Sequence, residues 1–447
     1  MHEKTPPASG VVAPVGQAER IASVDVLRGV ALLGILVINI EFFALPAAMY
    51  FNPSLSGGFT GINLYTWLFA STFFLNKMMA IFSMLFGAGI VLLYERFEAR
   101  GVPLGGVYYR RVLWLLLFGL IHSYLIWYGD ILVTYAICGL LLFLFRCKSA
   151  RFLMILGIVT LLFGLLIQFG SGFQFKMLRS ASEQVEVARA EGKAVAPYEE
   201  AMAEAWSEIE SMFKVTDEEI AAETEAYRGG YSENLAQRVP ETIMMQTQAL
   251  AFMMFWRVAG LMLLGMSLMK LRVFSAGRSM RFYVGMAVIG YAIGLPLTIF
   301  GTNSMIAHEF DIVHQFMIGN QLNGIGSVLV ALGHAGVVLA ICKSGTLAGL
   351  RRLLAGVGQM ALTNYLMQSL ICTAIFYGFG FGLFGRFERF ELLGFVLAVW
   401  LLQLVLSRWW MNRFRFGPAE WAWRSVVYWH RQPMRIADSN RAAPSGS

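Results

Sequence analysis

Apolar residues fill ten runs along the chain, about 21–45, 73–94, 110–128, 131–146, 151–170, 244–270, 281–301, 320–342, 357–378 and 391–411, with polar segments between them. Each is long enough, or nearly so, to cross about 30 Å of hydrocarbon as a helix. A helix satisfies its own backbone polar groups in lipid, so the pattern predicts an all-α polytopic membrane protein, a bundle of about ten transmembrane helices. The apolar, aromatic stretch 62–73 either extends the second run or lies in the interface. One long segment, 171–243, breaks the rhythm. It carries Glu-rich helical patterning, as in Asp217-Glu-Glu-Ile-Ala-Ala-Glu-Thr-Glu225, and too little apolar content for a core of its own. It predicts an extracytoplasmic helical insertion over the mouth of the bundle; the plainer alternative is a solvated spacer. Residues 1–19 read as a disordered tail, and 412–447, which mix Trp, Phe and Arg without reaching spanning length, as an interfacial helix and tail. Pro296 predicts a kink in its span.

Composition agrees. With 57% hydrophobic and 14% charged residues in 447, the chain carries more apolar surface than a soluble domain could bury. The net charge of +7 does not sit on one basic face, as nucleic-acid binding would require. Instead Arg20; Arg96, Arg100, Arg110 and Arg111; Arg146, Lys148 and Arg151; Lys270, Arg272, Arg278 and Arg281; Lys343, Arg351 and Arg352; and Arg408, Arg413 and Arg415 fall at alternate ends of the runs. The positive-inside rule then places both termini in the cytoplasm and 45–62, 127–130, 171–243, 302–319 and 379–390 outside. The first run exceeds a secretory signal core, which predicts a retained anchor. Cys138, Cys147, Cys342 and Cys372 form no CxxC pair, and neither a disulfide framework nor a zinc site is expected.

Polar groups at membrane depth are costly and therefore informative. Asp25 and Arg28 can pair on one face of the first span, and Asn39 lies on the same stripe about 16 Å further along. Arg111 and His122 repeat that spacing in the third span. His122, near the outer end, can accept a proton at physiological pH, and Asp130 across the short turn could orient it. The plainer readings are a hydrogen bond from His122 to a neighbouring helix and an N-cap by Asp130. Arg257 sits inside an otherwise apolar run and predicts either an anionic ligand or a structural ion pair. Gln359, Thr363, Asn364 and Gln368 form either a substrate-facing stripe or interhelical hydrogen bonds. His308 and His314 lack the i, i+4 spacing of a helical metal pair, and no HExxH, Walker motif or Gly-Xaa-Ser-Xaa-Gly elbow occurs. No metal is expected.

Several segments resemble one family. Arg20-Ile-Ala-Ser-Val-Asp-Val-Leu-Arg-Gly-Val-Ala-Leu-Leu-Gly-Ile-Leu-Val-Ile-Asn39, Phe82-Ser-Met-Leu-Phe-Gly-Ala-Gly89, the His122–Asp130 hairpin, Gly358-Gln-Met-Ala-Leu-Thr-Asn-Tyr365 and Phe414-Arg-Phe-Gly-Pro-Ala-Glu-Trp421 together resemble the YeiB family of bacterial inner-membrane proteins. That family is grouped by similarity with transmembrane acyltransferases. The resemblance implies a multi-pass inner-membrane enzyme that moves an acyl (acetyl) group from cytoplasmic acyl-CoA to an extracytoplasmic hydroxyl or amine. The related O-acyltransferases carry a histidine at the place held here by Asn39, so another base is needed, and His122, oriented by Asp130, is the expected one. Arg28, Arg111 and Arg257 are then expected to attract the donor phosphates or the developing oxyanion, and Asn39, Asn364 and Gln368 to bind substrate. A transporter of a small anionic solute is the rival reading. The expected partners are the lipid bilayer and a small-molecule or glycan acceptor, with room for a homodimer and no nucleic acid.

Overall fold

The computed structural model describes residues 21–436, so the tail expected at 1–19 and the last eleven residues lie outside it. The described chain is helical, with no β-structure beyond a single antiparallel bridge between Phe414 and Arg435. In order it runs α1 (Ala22–Ala44), α2 (Gly61–Phe73), α3 (Lys77–Ala99), α4 (Gly105–Leu125), α5 (Leu132–Leu142), α6 (Ala150–Ala190), α7 (Pro197–Phe213), α8 (Asp217–Arg228) and α9 (Tyr231–Met244). A π-helical stretch, Met245–Met254, leads directly into α10 (Phe255–Lys270). Then come α11 (Met280–Ala307), α12 (Ile312–His314), a second π-helical stretch (Gln315–Gly319), α13 (Asn320–Ser344), α14 (Ala348–Gln359), α15 (Ala361–Phe376), α16 (Arg389–Met411) and α17 (Pro418–Val427). Among the described residues seven helical runs are long and apolar enough to cross a membrane, and Leu132–Phe145 and Ala361–Phe376 are shorter apolar helices.

Helix ends and hydropathy edges differ in informative places. The fifth apolar run ends near residue 170, but α6 continues to Ala190 through Ser, Glu, Lys and Ala. Its 41 residues measure about 60 Å, roughly twice the hydrocarbon thickness. Likewise α9, the π stretch and α10 form one rod, Tyr231–Lys270, that starts well before the apolar edge at 244. Apolar content marks where lipid begins, whereas Ala, Glu, Lys and Arg sustain a helix on either side of that edge. The stretch 62–73 forms its own helix, because the chain breaks at Asn76, whose φ of 65° is left-handed. Helix α11 continues through Pro296.

Segment 171–243 is docked on the bundle. Tyr227 is buried and packs against Tyr377 and Phe384, its carbonyl accepts from Gly378 N at 2.8 Å, and Arg228 Nε donates to Phe384 O. Glu223 Oε1 accepts from the Ala47 amide at 2.8 Å. Burial, with Glu241 adding to it, raises the Glu223 carboxyl from its ordinary 4.5 to about 7 against that hydrogen bond.

The centre of the bundle is α1, which touches α3, α13, α14, α15 and α16. It reaches α14 backbone to backbone: a methyl group at Gly29 would collide with the Leu354 carbonyl, and one at Gly358 with the Asp25 carbonyl. Small residues allow this approach where no hydrophobic driving force separates helix from lipid. At the periphery α6 presents Ile155, Val159, Leu162 and Leu166 outward, as a lipid-facing helix should.

Two outcomes follow. Gly29→Ala or Gly358→Ala should each destabilise the purified protein by about 1–3 kcal/mol, measured as a lower unfolding midpoint in detergent. Because the folded-state pKa of Glu223 is raised, its contribution to docking is complete below pH 4.5 and is lost as pH rises through about 7. Hydrogen exchange of residues 217–228 should therefore accelerate across that window beyond the intrinsic pH effect, and Glu223→Gln should remove the excess.

Candidate functional site

Helix α4 ends two turns past its last buried glycine, and His122 lies in its final turn. The chain then turns through Ile126-Trp127-Tyr128-Gly129 to Asp130, and the imidazole and the carboxylate meet across this turn. His122 Nδ1 donates to Asp130 Oδ2 at 2.7 Å, and Asp130 Oδ1 accepts from Val133 N at 2.9 Å in the first turn of α5. Asp130 stands one residue before the N-cap position, Ile131, rather than at it; one of its oxygens still takes up a free amide of the next helix, and the other holds the histidine. Tyr365 of α15 adds a longer hydrogen bond, its hydroxyl donating to Asp130 Oδ2 at 3.4 Å while accepting from Ile131 N at 3.3 Å.

The other ring nitrogen finds a partner far away in sequence. Ser369 Oγ lies 2.9 Å from His122 Nε2. With Nδ1–H committed to the carboxylate, a neutral imidazole presents its Nε2 lone pair to the serine hydroxyl, which donates to it. Ser369, His122 and Asp130 thus stand in the order and spacing of a hydroxyl, a base and an orienting carboxylate. The group is enclosed: His122 and Ser369 are each 1% exposed. Tyr365 lies against the imidazole with ring centres 5.1 Å apart, and Trp127, stacked on Phe43 at 4.1 Å, covers its edge.

The helix end that bears His122 is itself held from outside. The last carbonyls of a helix have no partner within it. Here Thr242 Oγ1 donates to Ser123 O, Arg238 Nε to Tyr124 O, Tyr231 Oη to Leu125 O and Arg238 Nη1 to Ile126 O, all between 2.8 and 3.1 Å. One helix, α9, supplies every donor, and its buried guanidinium sits at the negative end of the α4 dipole. Gln246 Nε2 adds a bond to Ser123 Oγ at 2.8 Å.

The remaining candidates divide between other places. Arg28 pairs with Asp25 at 3.0 Å and reaches the Gly358 carbonyl. Arg111 stacks on Trp423, 4.0 Å from the ring centre, and its carbonyl accepts from Trp423 Nε1. These two lie at the opposite end of α1 and α4 from His122, close enough to feel each other's charge. Arg257 joins neither group. Asn39 is partly exposed, and its amide bonds no atom of the described residues. Asn364 and Gln368 bond between helices: Asn364 Nδ2 donates to Val357 O and Ser407 Oγ, and Gln368 Nε2 to Gln403 Oε1.

Two residues escaped the sequence reading. Ser369 follows Gln368 and lies one turn beyond Tyr365, but a serine in a polar-speckled helix carries no signal without its partner. Glu420 of α17 caps the first turn of α15, accepting from Leu362 N, Thr363 N and Thr363 Oγ1. Burial pushes its carboxyl up despite those bonds. It joins the Gly358–Tyr365 and Phe414–Trp421 segments and so fixes the helix that carries Ser369.

Residues 268–430 match the model of a family described as a protein of unknown function, DUF418. Similarity to individual proteins spans nearly the whole chain. An uncharacterized protein YeiB of Escherichia coli (strain K12) is 32% identical over 415 residues, which is 92% of this chain and 96% of the relative. An uncharacterized protein YxaH of Bacillus subtilis (strain 168) is 29% identical over 430 residues, 93% of this chain and 96% of the relative. An uncharacterized 39.9 kDa protein in the amylase 3' region of Bacillus acidopullulyticus is 26% identical over 423 residues, 95% of this chain and 98% of the relative. No solved structure matches the chain.

The clamp on α4 is open to direct measurement. Arg238→Met keeps most of the apolar stem but removes both guanidinium donors, leaving the Tyr124 and Ile126 carbonyls without a partner. A loss of about 1–3 kcal/mol per orphaned carbonyl is expected, seen as a lowered unfolding midpoint.

Proposed function

The chain belongs to the YeiB family, and on that premise we propose that it is an acyltransferase of the bacterial inner membrane, with both termini cytoplasmic. It takes an acyl group from acyl-CoA on the cytoplasmic side and delivers it to a hydroxyl or amine on the other side. The observation that carries this reading is the Ser369–His122–Asp130 group, in which a serine hydroxyl lies 2.9 Å from an imidazole that a carboxylate holds at 2.7 Å.

In the first half-reaction Ser369 Oγ attacks the thioester carbonyl and gives its proton to His122 Nε2. Asp130 keeps the imidazole in the required tautomer and stabilises its charged form. The C–S bond breaks, the proton passes to the leaving sulfur, and CoA departs as the thiol, leaving an acyl-serine. In the second half-reaction the acceptor hydroxyl or amine attacks that ester, His122 takes its proton and returns one to Ser369 Oγ. Charge is conserved at each step and no redox partner is needed.

Arg28 and Arg111, at the cytoplasmic end in this orientation, suit the donor phosphates. They stand about 16 Å from the level of His122 along α4 and α1, the depth over which an extended pantetheine arm carries a thioester. The unengaged amide of Asn39 suits the acceptor. Burial of the triad excludes water that would hydrolyse the acyl-serine, and entry of either substrate requires Trp127 and the α9 clamp to give way, a step of the kind that often limits turnover.

Incubation of the purified protein with labelled acetyl-CoA should place label on the peptide containing Ser369. Ser369→Ala should abolish that label, and His122→Ala should slow its appearance by about 10²–10⁴-fold. Asp130→Asn keeps an acceptor for the free α5 amide but loses the tautomer, and should slow labelling while leaving the unfolding midpoint close to wild type. A wild-type protein that neither binds nor cleaves CoA thioesters, and carries an anionic solute across proteoliposomes, would replace this reading with transport.

A further inference from the structure

Away from the triad, the bundle brings Lys77 and Arg257 together, and among the described residues no carboxylate bonds either of them. Lys77, 2% exposed, is the first residue of α3, and its ammonium donates to the Ser71 carbonyl at 2.6 Å and, among the described residues, to no other group. Arg257, in the first turn of α10, donates through Nη2 to Ser327 Oγ at 2.8 Å and to the Asn76 carbonyl at 3.4 Å, and through Nη1 to the Gly324 carbonyl at 3.5 Å. Its Nε is buried without a partner. A guanidinium carries five N–H donors, and only one of its bonds here has the length of a strong one. The two cations lie near enough to repel each other, and the charge-bearing group facing Arg257 besides Lys77 is the Tyr50 hydroxyl.

A purely structural role fits this arrangement poorly. Buried arginines in membranes pair with acids or with backbone carbonyls, or line an accessible cavity; the carbonyls that Arg257 reaches stand only at 3.4 and 3.5 Å, and two like charges held together without a counter-ion are each other's penalty. The backbone adds to the imbalance: α3 begins here, at a left-handed Asn76, with no side-chain cap and no acid in its first turn, so its positive end is uncompensated. The place is not sealed, since Arg257 and Asn76 keep partial exposure and Tyr50 is 41% exposed. The two segments that meet at Arg257, α10 and α13, are each preceded by a π-helical stretch, a winding found mostly at functional positions.

We propose that Arg257, Lys77 and the N-terminus of α3 form a binding site for an oxyanion, a phosphate or carboxylate, that approaches from the side on which the Ala47–Tyr50 loop lies. The guanidinium takes it through its unengaged edge and Lys77 supplies the second charge. As an anion site this stands on its own geometry. Naming the anion as part of the acyl acceptor rests on the acyl-transfer reading, and it makes that acceptor an acidic molecule, such as a phosphate-bearing headgroup or a carboxylated sugar.

The test uses the full chain in phosphatidylcholine nanodiscs at constant ionic strength, reading the unfolding midpoint. Three arms are compared: added inorganic phosphate, added succinate, and nanodiscs doped with phosphatidylglycerol. A rise in the midpoint with either soluble anion identifies a soluble oxyanion, and a rise only with the doped discs identifies a lipid headgroup; either supports the site. Lys77→Gln should weaken the apparent affinity by at least about tenfold, and Arg257→Gln should abolish the response. Arg257→Lys keeps the charge but not the fork, and should retain a weakened response if the glutamine variant does not fold. Ser369→Ala should respond as wild type. No response in any arm, or an equal response in the Lys77 and Arg257 variants, overturns the site. A response that depends on Arg257, in a protein whose Ser369 is never acylated, leaves the anion site standing and removes only its assignment to an acyl acceptor.

Discussion

Carbonyl groups at the end of a helix must find donors, and inside a membrane protein water cannot be relied on to supply them. At the end of α4 that demand falls on the turn bearing His122, and α9 meets it with Tyr231, Arg238 and Thr242. Much of the site's arrangement depends on this closure. With the α4 terminus held, the short turn places Asp130 against the imidazole, Trp127 can stack on Phe43, and Ser369 can reach the other ring nitrogen. A segment that reads as a hydrophilic interruption between spans is therefore what fixes the most chemically loaded turn in the chain.

The architecture was legible because lipid imposes a long-range rule on composition. A run of apolar residues reports a helix in lipid whatever it later packs against, so helices appeared where hydropathy placed them. Their ends were not legible at Ala190 and Tyr231, because helix propensity does not stop where lipid does. His122 and Asp130 were legible as a pair because only eight positions separate them and a tight turn constrains the rest. Ser369 lies 247 positions from His122, and its part in the group depends on how α15 packs beside α4, which no local pattern carries. Asn364 and Gln368 show the converse: polar residues in a span look alike from sequence whether they face a substrate or, as here, a serine and a glutamine on α16.

The charged residues illustrate how one class of signal divides on folding. Arg28 and Arg111 come to the same end of the bundle, one paired with Asp25 and the other stacked on Trp423. Arg389 is matched by Glu41 at 3.0 Å. Arg238 is matched by helix carbonyls. Arg257 and Lys77 are left, two cations side by side whose bonds among the described residues go to carbonyls and one hydroxyl.

Arg238 and Arg257 also belong to one object. Both stand on the continuous rod Tyr231–Lys270, on either side of the ten residues wound as a π-helix, where each carbonyl reaches five residues ahead instead of four. Rewinding such a stretch by a single residue of register would turn one end of the rod against the other by about 100°. The clasp on the histidine helix and the paired cations are then the two ends of a shaft with a coupling set between them.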